Sequence, residues 1–249
     1  MKKYLKFFLV LPLFIWSCSS DSDEITTELN STIELENSAN DHAVFSTFKV
    51  TIENIGQDQN ILTLFSPGVY VVQKQRSEPL FDQGEEDYGM GLEAIAEDGM
   101  PGPLNENLEN HPKIRSHGIF ATPVGASGPA PLTPGEEYEF TITAKHKDYL
   151  NFVTMYVQSN DVFIAPMPQG ISLFNDIREP IEGDITGYLY YWDAGTEVNQ
   201  EPGVGSYQAP RQPAPDTGTP ENGVVHLLDD GYYYPPLESI IRVTISLVE

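Results

Sequence analysis

The sequence predicts an all-β fold, an antiparallel β-sandwich with one short helix and long loops, and three observations carry that expectation. Apolar residues recur with a period of two in several stretches, the mark of a strand with one covered face. Other apolar runs have strand length and are rich in β-branched and aromatic side chains. Gly and Pro, 20 of each in 249 residues, punctuate nearly every gap between them. Short strands, Gly/Pro turns and almost no helical periodicity together point to two packed sheets.

Taken in chain order, the first element is an export signal. Lys2, Lys3 and Lys6 form a basic start, residues 7–16 form an apolar run too short for a comfortable membrane span, and Ile15-Trp16-Ser17-Cys18 closes it. An aliphatic residue three before the cysteine and a small one just before it resemble a bacterial lipobox, in which the thiol is acylated before cleavage. Residues 1–17 are thus expected to be a lipoprotein signal peptide and Cys18 the lipidation site. No other stretch is apolar and long enough to span a bilayer, so the chain would be held to a membrane by its lipid alone. Residues 18–45 are polar, beginning Ser19-Ser20-Asp21-Ser22-Asp23-Glu24, and read as a tether that cannot form a core. The acids behind the cysteine resemble a signal that sends some lipoproteins to the outer cell surface.

The folded domain is expected over residues 46–249. Phe48, Val50 and Ile52 alternate with Lys49, Thr51 and Glu53, and the same alternation returns at 138–143 and at 241–247. The less regular apolar runs at 61–65, 69–73, 150–157, 162–165, 171–174 and 188–192 suggest strands covered on both faces or short edge strands. Residues 91–98, with Leu92, Ile95 and Ala96 on one face, read as the single helix, stopped by the Gly99 to Pro103 stretch. No internal repeat and no composition break divides this part further.

Charge narrows the function. Thirty-seven Asp and Glu stand against 13 Lys and Arg, a formal charge of −24, and cleavage of the signal removes three lysines and no acid. A surface this acidic repels phosphate backbones, which argues against nucleic-acid partners and makes cationic ones more favourable. The single cysteine rules out an internal disulfide framework and a cysteine-rich zinc site. His42, His111, His117, His146 and His226 have no metal-ligand spacing, and no glycine-rich phosphate loop opens a helix. Two loop segments remain. Gln158-Ser159-Asn160-Asp161 is a polar corner at a strand end with one carboxylate. Trp192-Asp193-Ala194-Gly195-Thr196-Glu197 carries two carboxylates four apart, with a glycine between them that lets the loop curl. Carboxylates converging from separate loops suit a hard cation such as calcium, which takes six to eight oxygens. The same residues can also be loop carboxylates that cap turns. Gly195 stands where an EF-hand needs its third-position Asp or Asn, so this is no EF-hand.

In combination these segments resemble the spondin domain, a module of extracellular matrix proteins that also occurs alone in bacterial lipoproteins. The resemblance covers about residues 46–248. It rests on five stretches in order: Phe48-Lys49-Val50-Thr51-Ile52-Glu53-Asn54, Leu64-Phe65-Ser66-Pro67-Gly68-Val69-Tyr70, the run from Gly91 to Gly99, Gln158-Ser159-Asn160-Asp161-Val162-Phe163, and the 192–197 segment. It implies an antiparallel sandwich that binds one calcium ion at a loop end, with Asp161, Asp193 and Glu197 as its ligands. Glu197 stands where animal members have Asp, and the cysteines of those members are absent. Together with the lipobox-like signal, it leads to the expectation of a non-enzymatic binding or adhesion module in the cell envelope, an outer-membrane lipoprotein facing an extracellular protein or glycan. The alternatives are a hydrolase of envelope or polysaccharide material and a nutrient-capture lipoprotein. Glu201 is a further acid near the loop, and Tyr232-Tyr233-Tyr234-Pro235-Pro236 is either an aromatic platform for a sugar or peptide or packing at a turn.

Overall fold

The computed structural model describes residues 44–57, 61–87 and 89–248. The expected signal peptide, Cys18 and all but the last two residues of the tether lie outside them. Ala43–Glu249 forms one compact unit. Among the described residues it is an all-β fold of two antiparallel sheets with short helical segments.

The smaller sheet is built from β1 (Phe45–Asn54), β4 (Glu137–Lys145), β8 (Gly183–Asp184) and β11 (Ile241–Leu247), in the order β4-β1-β11-β8. Its three long strands are the ones with clear alternation. In register, Val50 faces Phe140 and Ile245, and Ile52 faces Tyr138 and Val243, so one set of apolar side chains falls on one face. The other face carries the intervening charges and meets solvent, where Lys49 reaches Glu139 at 2.6 Å. That asymmetry is what a period of two reports.

The larger sheet runs β10-β9-β6-β5-β2-β3, with β7 pairing beside β6 on the free edge of β5. Its members are β2 (Phe65–Lys74), β3 (Ile114–Phe120), β5 (Asp148–Tyr156), β6 (Val162–Pro166), β7 (Ile171–Ser172), β9 (Leu189–Asp193) and β10 (His226–Leu227). Its central strands are buried on both faces. Phe65, Val72, Leu150, Phe152, Val162 and Ile164 pack against the small sheet in the main core. On the opposite face Val69, Val71, Val153, Phe163 and Trp192 form a second core. That second core is roofed by α1 (Leu92–Asp98), α2 (Gly102–Asn107) and the chain around Leu80 and Phe81. Trp192 is fully buried there, with its ring 5.0 Å from Phe81 and its Nε1–H donated to the Ala165 carbonyl at 3.2 Å. Strands covered on both sides need no polar alternation, which is why their sequence shows continuous apolar runs.

Three expectations differ from the structure. The 61–65 run is not a strand of its own, since residues 61–64 are not in a strand and Phe65 opens β2. The 99–103 stretch, read as a stop, ends α1 at Gly99 but also begins α2, because proline is well placed at a first helical turn where its missing N–H costs nothing. A further four-residue helix, α3 (Leu237–Ile240), leads into β11. The strand β3 was not foreseen, since Arg115, Ser116, His117 and Gly118 interrupt its apolar residues; it is an edge strand, and only Ile114 and Phe120 are buried. No helix among the described residues is long and apolar enough to cross a membrane.

Candidate metal centre

The site is assembled where β5 turns into β6 and where β9 ends. Val162 pairs with Asp193, so Asp161, one residue before β6, lies beside the last residue of β9. The corner feeding it is fully enclosed: Ser159, Asn160 and Asp161 have no exposed surface. The chain after β9 folds back over this corner. Arg211 donates to the Gln158 side chain at 2.9 Å and to the Gly205 carbonyl at 2.7 Å, while Gly203 N–H bonds the Gln158 carbonyl at 3.0 Å.

Asp161 is the centre of the arrangement. Its Oδ2 accepts the backbone N–H of Thr196 at 2.9 Å and of Glu197 at 3.1 Å, clamping the 194–197 turn onto the corner. Its Oδ1 is buried and accepts no hydrogen bond. Buried carboxylate oxygens without a partner are costly, because desolvation is not offset by any donor. Burial raises the Asp161 carboxyl well above the ordinary carboxylate range, and the nearby charge of Asp193 adds to the shift. Asp193, also buried, uses Oδ1 to accept the Gly195 N–H at 2.7 Å and Oδ2 to accept the Asn199 amide at 2.5 Å. Burial raises its pKa as well. The Asn199 carbonyl oxygen, like Asp161 Oδ1, is buried without a partner.

A third carboxylate completes the group. Carboxylate oxygens of Asp161, Asp193 and Glu221 lie within 4.8 Å of one another. Two ligands of one calcium ion, each about 2.3–2.6 Å from it, are at most about 5 Å apart, so the spacing admits a single ion. Glu221 arrives through pairing of loops: Glu221 N–H bonds Thr196 O at 2.8 Å, Gly223 N–H bonds Gly195 O at 2.7 Å, and Val198 N–H bonds Thr219 O at 2.8 Å. Gly195 makes that approach possible. Its φ is 70°, and a Cβ there would lie 2.6 Å from the Val224 nitrogen. Burial and the charge of Asp193 raise the Glu221 carboxyl.

Glu197 is close in sequence but is not one of these three. Its carboxylate accepts the Asn160 amide at 2.8 Å and is packed so tightly on Gly218 that a Cβ there would sit 1.2 Å from Oε1. Only glycine permits that approach. Asp161 and Asp193 are thus brought together as expected, and Glu221 stands beside them. Glu201 is exposed and outside the group. Nothing in the sequence singles out Glu221, which sits in an aperiodic loop; only the loop pairing places it.

A second acidic group, Glu93, Glu97 and Asp216, also has oxygens within 4.8 Å of one another. Glu93 and Asp216 are exposed, and buried Glu97 bonds the Thr196 side chain. Burial lifts the Glu97 carboxyl to about 7, with the neighbouring charge of Glu197 contributing. Among the described residues this second group has no buried oxygen lacking a partner, which separates it from the first.

The donor set around Asp161 is all oxygen, with no nitrogen or sulfur among the three charged groups. Oxygen-only sites suit calcium, magnesium or manganese rather than zinc. An unpartnered buried oxygen beside two further carboxylates is satisfied by such an ion. No protein-family model matches the chain, and no curated protein matches its sequence.

Proposed function

We propose that this chain is a lipid-anchored, calcium-binding β-sandwich of the spondin type, working outside the cytoplasm as a binding or adhesion module. The observation that carries the reading is the orphaned, fully buried Asp161 Oδ1 beside Asp193 and Glu221. Three converging carboxylates without a cation repel one another, and an ion bound only by the folded state stabilises it. The ordered resemblance of five segments supports the same site, with Asp161 and Asp193 as ligands. Glu197 acts there as a positioning residue through Asn160, and Glu221 takes the third place. The lipobox-like Ile15 to Cys18 segment supports attachment to the envelope, with an extracellular protein or glycan as partner.

A hydrolytic pair at this position is disfavoured by burial. Asp161 and Asp193 are at most 2% exposed, and an acid and base acting on a polymer have to touch it.

Isothermal titration with calcium and with magnesium, on wild type and Asp161→Asn, tests the reading. We expect one calcium per chain, weaker magnesium because that ion demands tighter octahedral geometry, and calcium affinity reduced at least about ten-fold in the variant. No saturable calcium uptake by the wild type would overturn it.

A further inference from the structure

Beyond the candidate metal centre, a groove of about 650 Å³ lies between β9, the 227–236 loop and α3. That is the size range of a ligand site rather than a packing defect. Tyr191 and Tyr234 form its floor, with ring centroids 5.5 Å apart, and both rings pack against the fully buried Tyr156 at 5.7 and 5.8 Å. Tyr190 and Tyr232 line it too and remain exposed, at 36% and 43%.

The polar lining is one-sided. Tyr191 donates its hydroxyl to the Pro235 carbonyl at 3.0 Å, and Tyr234 donates to Asp230 Oδ2 at 2.9 Å, so both floor hydroxyls are already committed. Asp230 is committed as well, since its Oδ1 accepts the Tyr232 N–H at 2.9 Å. What faces the open groove is the pair of exposed carboxylates Asp229 and Glu238 and the aromatic faces. No Lys, Arg or His lines it. Carboxylates only accept hydrogen bonds, and the face of an aromatic ring attracts positive charge. A saccharide presents acceptors as well as donors and needs donors in return, which this lining supplies only sparsely. A guanidinium or ammonium is the opposite case: it carries several N–H donors and no acceptor. The protein's formal charge of −24 raises the local concentration of cations further.

We propose that this groove binds a basic polypeptide segment, one that lays an arginine or lysine against Tyr190 and Tyr232, between Asp229 and Glu238, with apolar neighbours on the tyrosine floor. The site names a chemistry for the partner of the binding module. It uses none of the candidate metal ligands, so it stands or falls separately from the cation.

The test is NMR titration of the chain from residue 18 onward, carrying Cys18→Ser, at physiological salt, in calcium and again in chelator. The probe is acetyl-Pro-Arg-Leu-Pro-Arg-amide. Its counterpart with citrulline at both arginines keeps the shape and removes the charge, and chitohexaose represents glycans. We expect saturable shifts at Tyr190, Leu227 and Tyr232 with the arginine peptide in both buffers. Binding is expected to weaken about ten-fold with citrulline, in Tyr232→Ala, and in Asp229→Asn/Glu238→Gln. Glu106→Gln/Glu109→Gln removes the same charge from exposed positions on and just beyond α2 and is expected to change nothing. The proposal is overturned if the citrulline peptide binds equally, if Glu106→Gln/Glu109→Gln weakens binding as much as the groove variants, if chitohexaose shifts the groove and the peptide does not, or if the peptide produces no saturable shift there.

Discussion

Asp161 carries two opposing roles on its two oxygens. Oδ2 holds the 194–197 turn through the Thr196 and Glu197 amides, while Oδ1 is buried without a donor. Asparagine keeps a carbonyl for the first role, removes the charge, and puts an N–H beside Asp193. In chelator at alkaline pH, where the Asp161 carboxyl is ionised despite its raised pKa, Asp161→Asn is therefore expected to be more stable than wild type by about 1–2 kcal/mol, because an uncompensated buried charge has gone. For a domain of this size that is a rise of several degrees in Tm, at about 2–4 °C per kcal/mol. Calcium is expected to raise the wild-type Tm and leave the variant's unchanged. Differential scanning fluorimetry in chelator and in calcium reads both effects; a variant that melts well below wild type in chelator would mean that Asp161 is structural only. At this scale the sequence was legible in part. Asp161 and Asp193 stood out as loop carboxylates at strand ends, and strand pairing places them side by side. Glu221 did not, because a carboxylate in an aperiodic loop looks like any other until the 195–198 and 219–223 segments pair. The curl at Gly195, expected to turn Asp193 and Glu197 toward one point, instead leaves the Glu197 carboxylate against Asn160 and Gly218.

The elements divide by how many faces they bury. In the small sheet one face is covered and one is wet, and β1, β4 and β11 could be read directly from their alternation. In the large sheet β5 and β6 are covered on both faces, so the sequence marks a strand without marking a direction. The edge strand β3 and the two-residue strands β8 and β10 leave almost no pattern, since few of their side chains are buried. The second core follows from the same geometry, and Trp192 joins it to the site because Asp193 is its neighbour on β9. Trp192 packs against Phe81 and Phe163 with no exposure. Trp192→Ala is expected to cost about 3–5 kcal/mol, the range for truncating a fully buried aromatic, and to weaken calcium binding through displacement of β9. Urea denaturation measures the first effect and titration the second. A loss under about 1 kcal/mol would show that the outer core is poorly packed and does not support the site.

For the whole molecule, the excess of acid is unevenly distributed in consequence. Most carboxylates are solvated, but Asp161, Asp193, Glu97 and Glu197 are buried together at one end of the large sheet, and burial raises each of them. A carboxyl with a raised pKa in the folded state binds its proton more tightly folded than unfolded. The associated stability is present below the unfolded value, 4.5 for Glu97, and is lost as pH rises through the folded one, about 7. In chelator the protein is thus expected to be more stable at pH 5 than at pH 8. Glu97→Gln is expected to flatten that dependence, with thermal melts across the range as the measurement; a wild-type Tm that rises from pH 5 to pH 8 in chelator would contradict it. Calcium is expected to reverse the slope, because the ion competes with protons for the same oxygens.

The central claim of the proposed function is the position of one cation, and anomalous diffraction from crystals grown with calcium and soaked with terbium locates it most directly. The account predicts a single strong peak about 2.3–2.6 Å from Asp161 Oδ1, bounded by Asp193 and Glu221. A peak held by Glu93, Glu97 and Asp216 instead, or no ordered peak beside Asp161 at saturating ion, would contradict it.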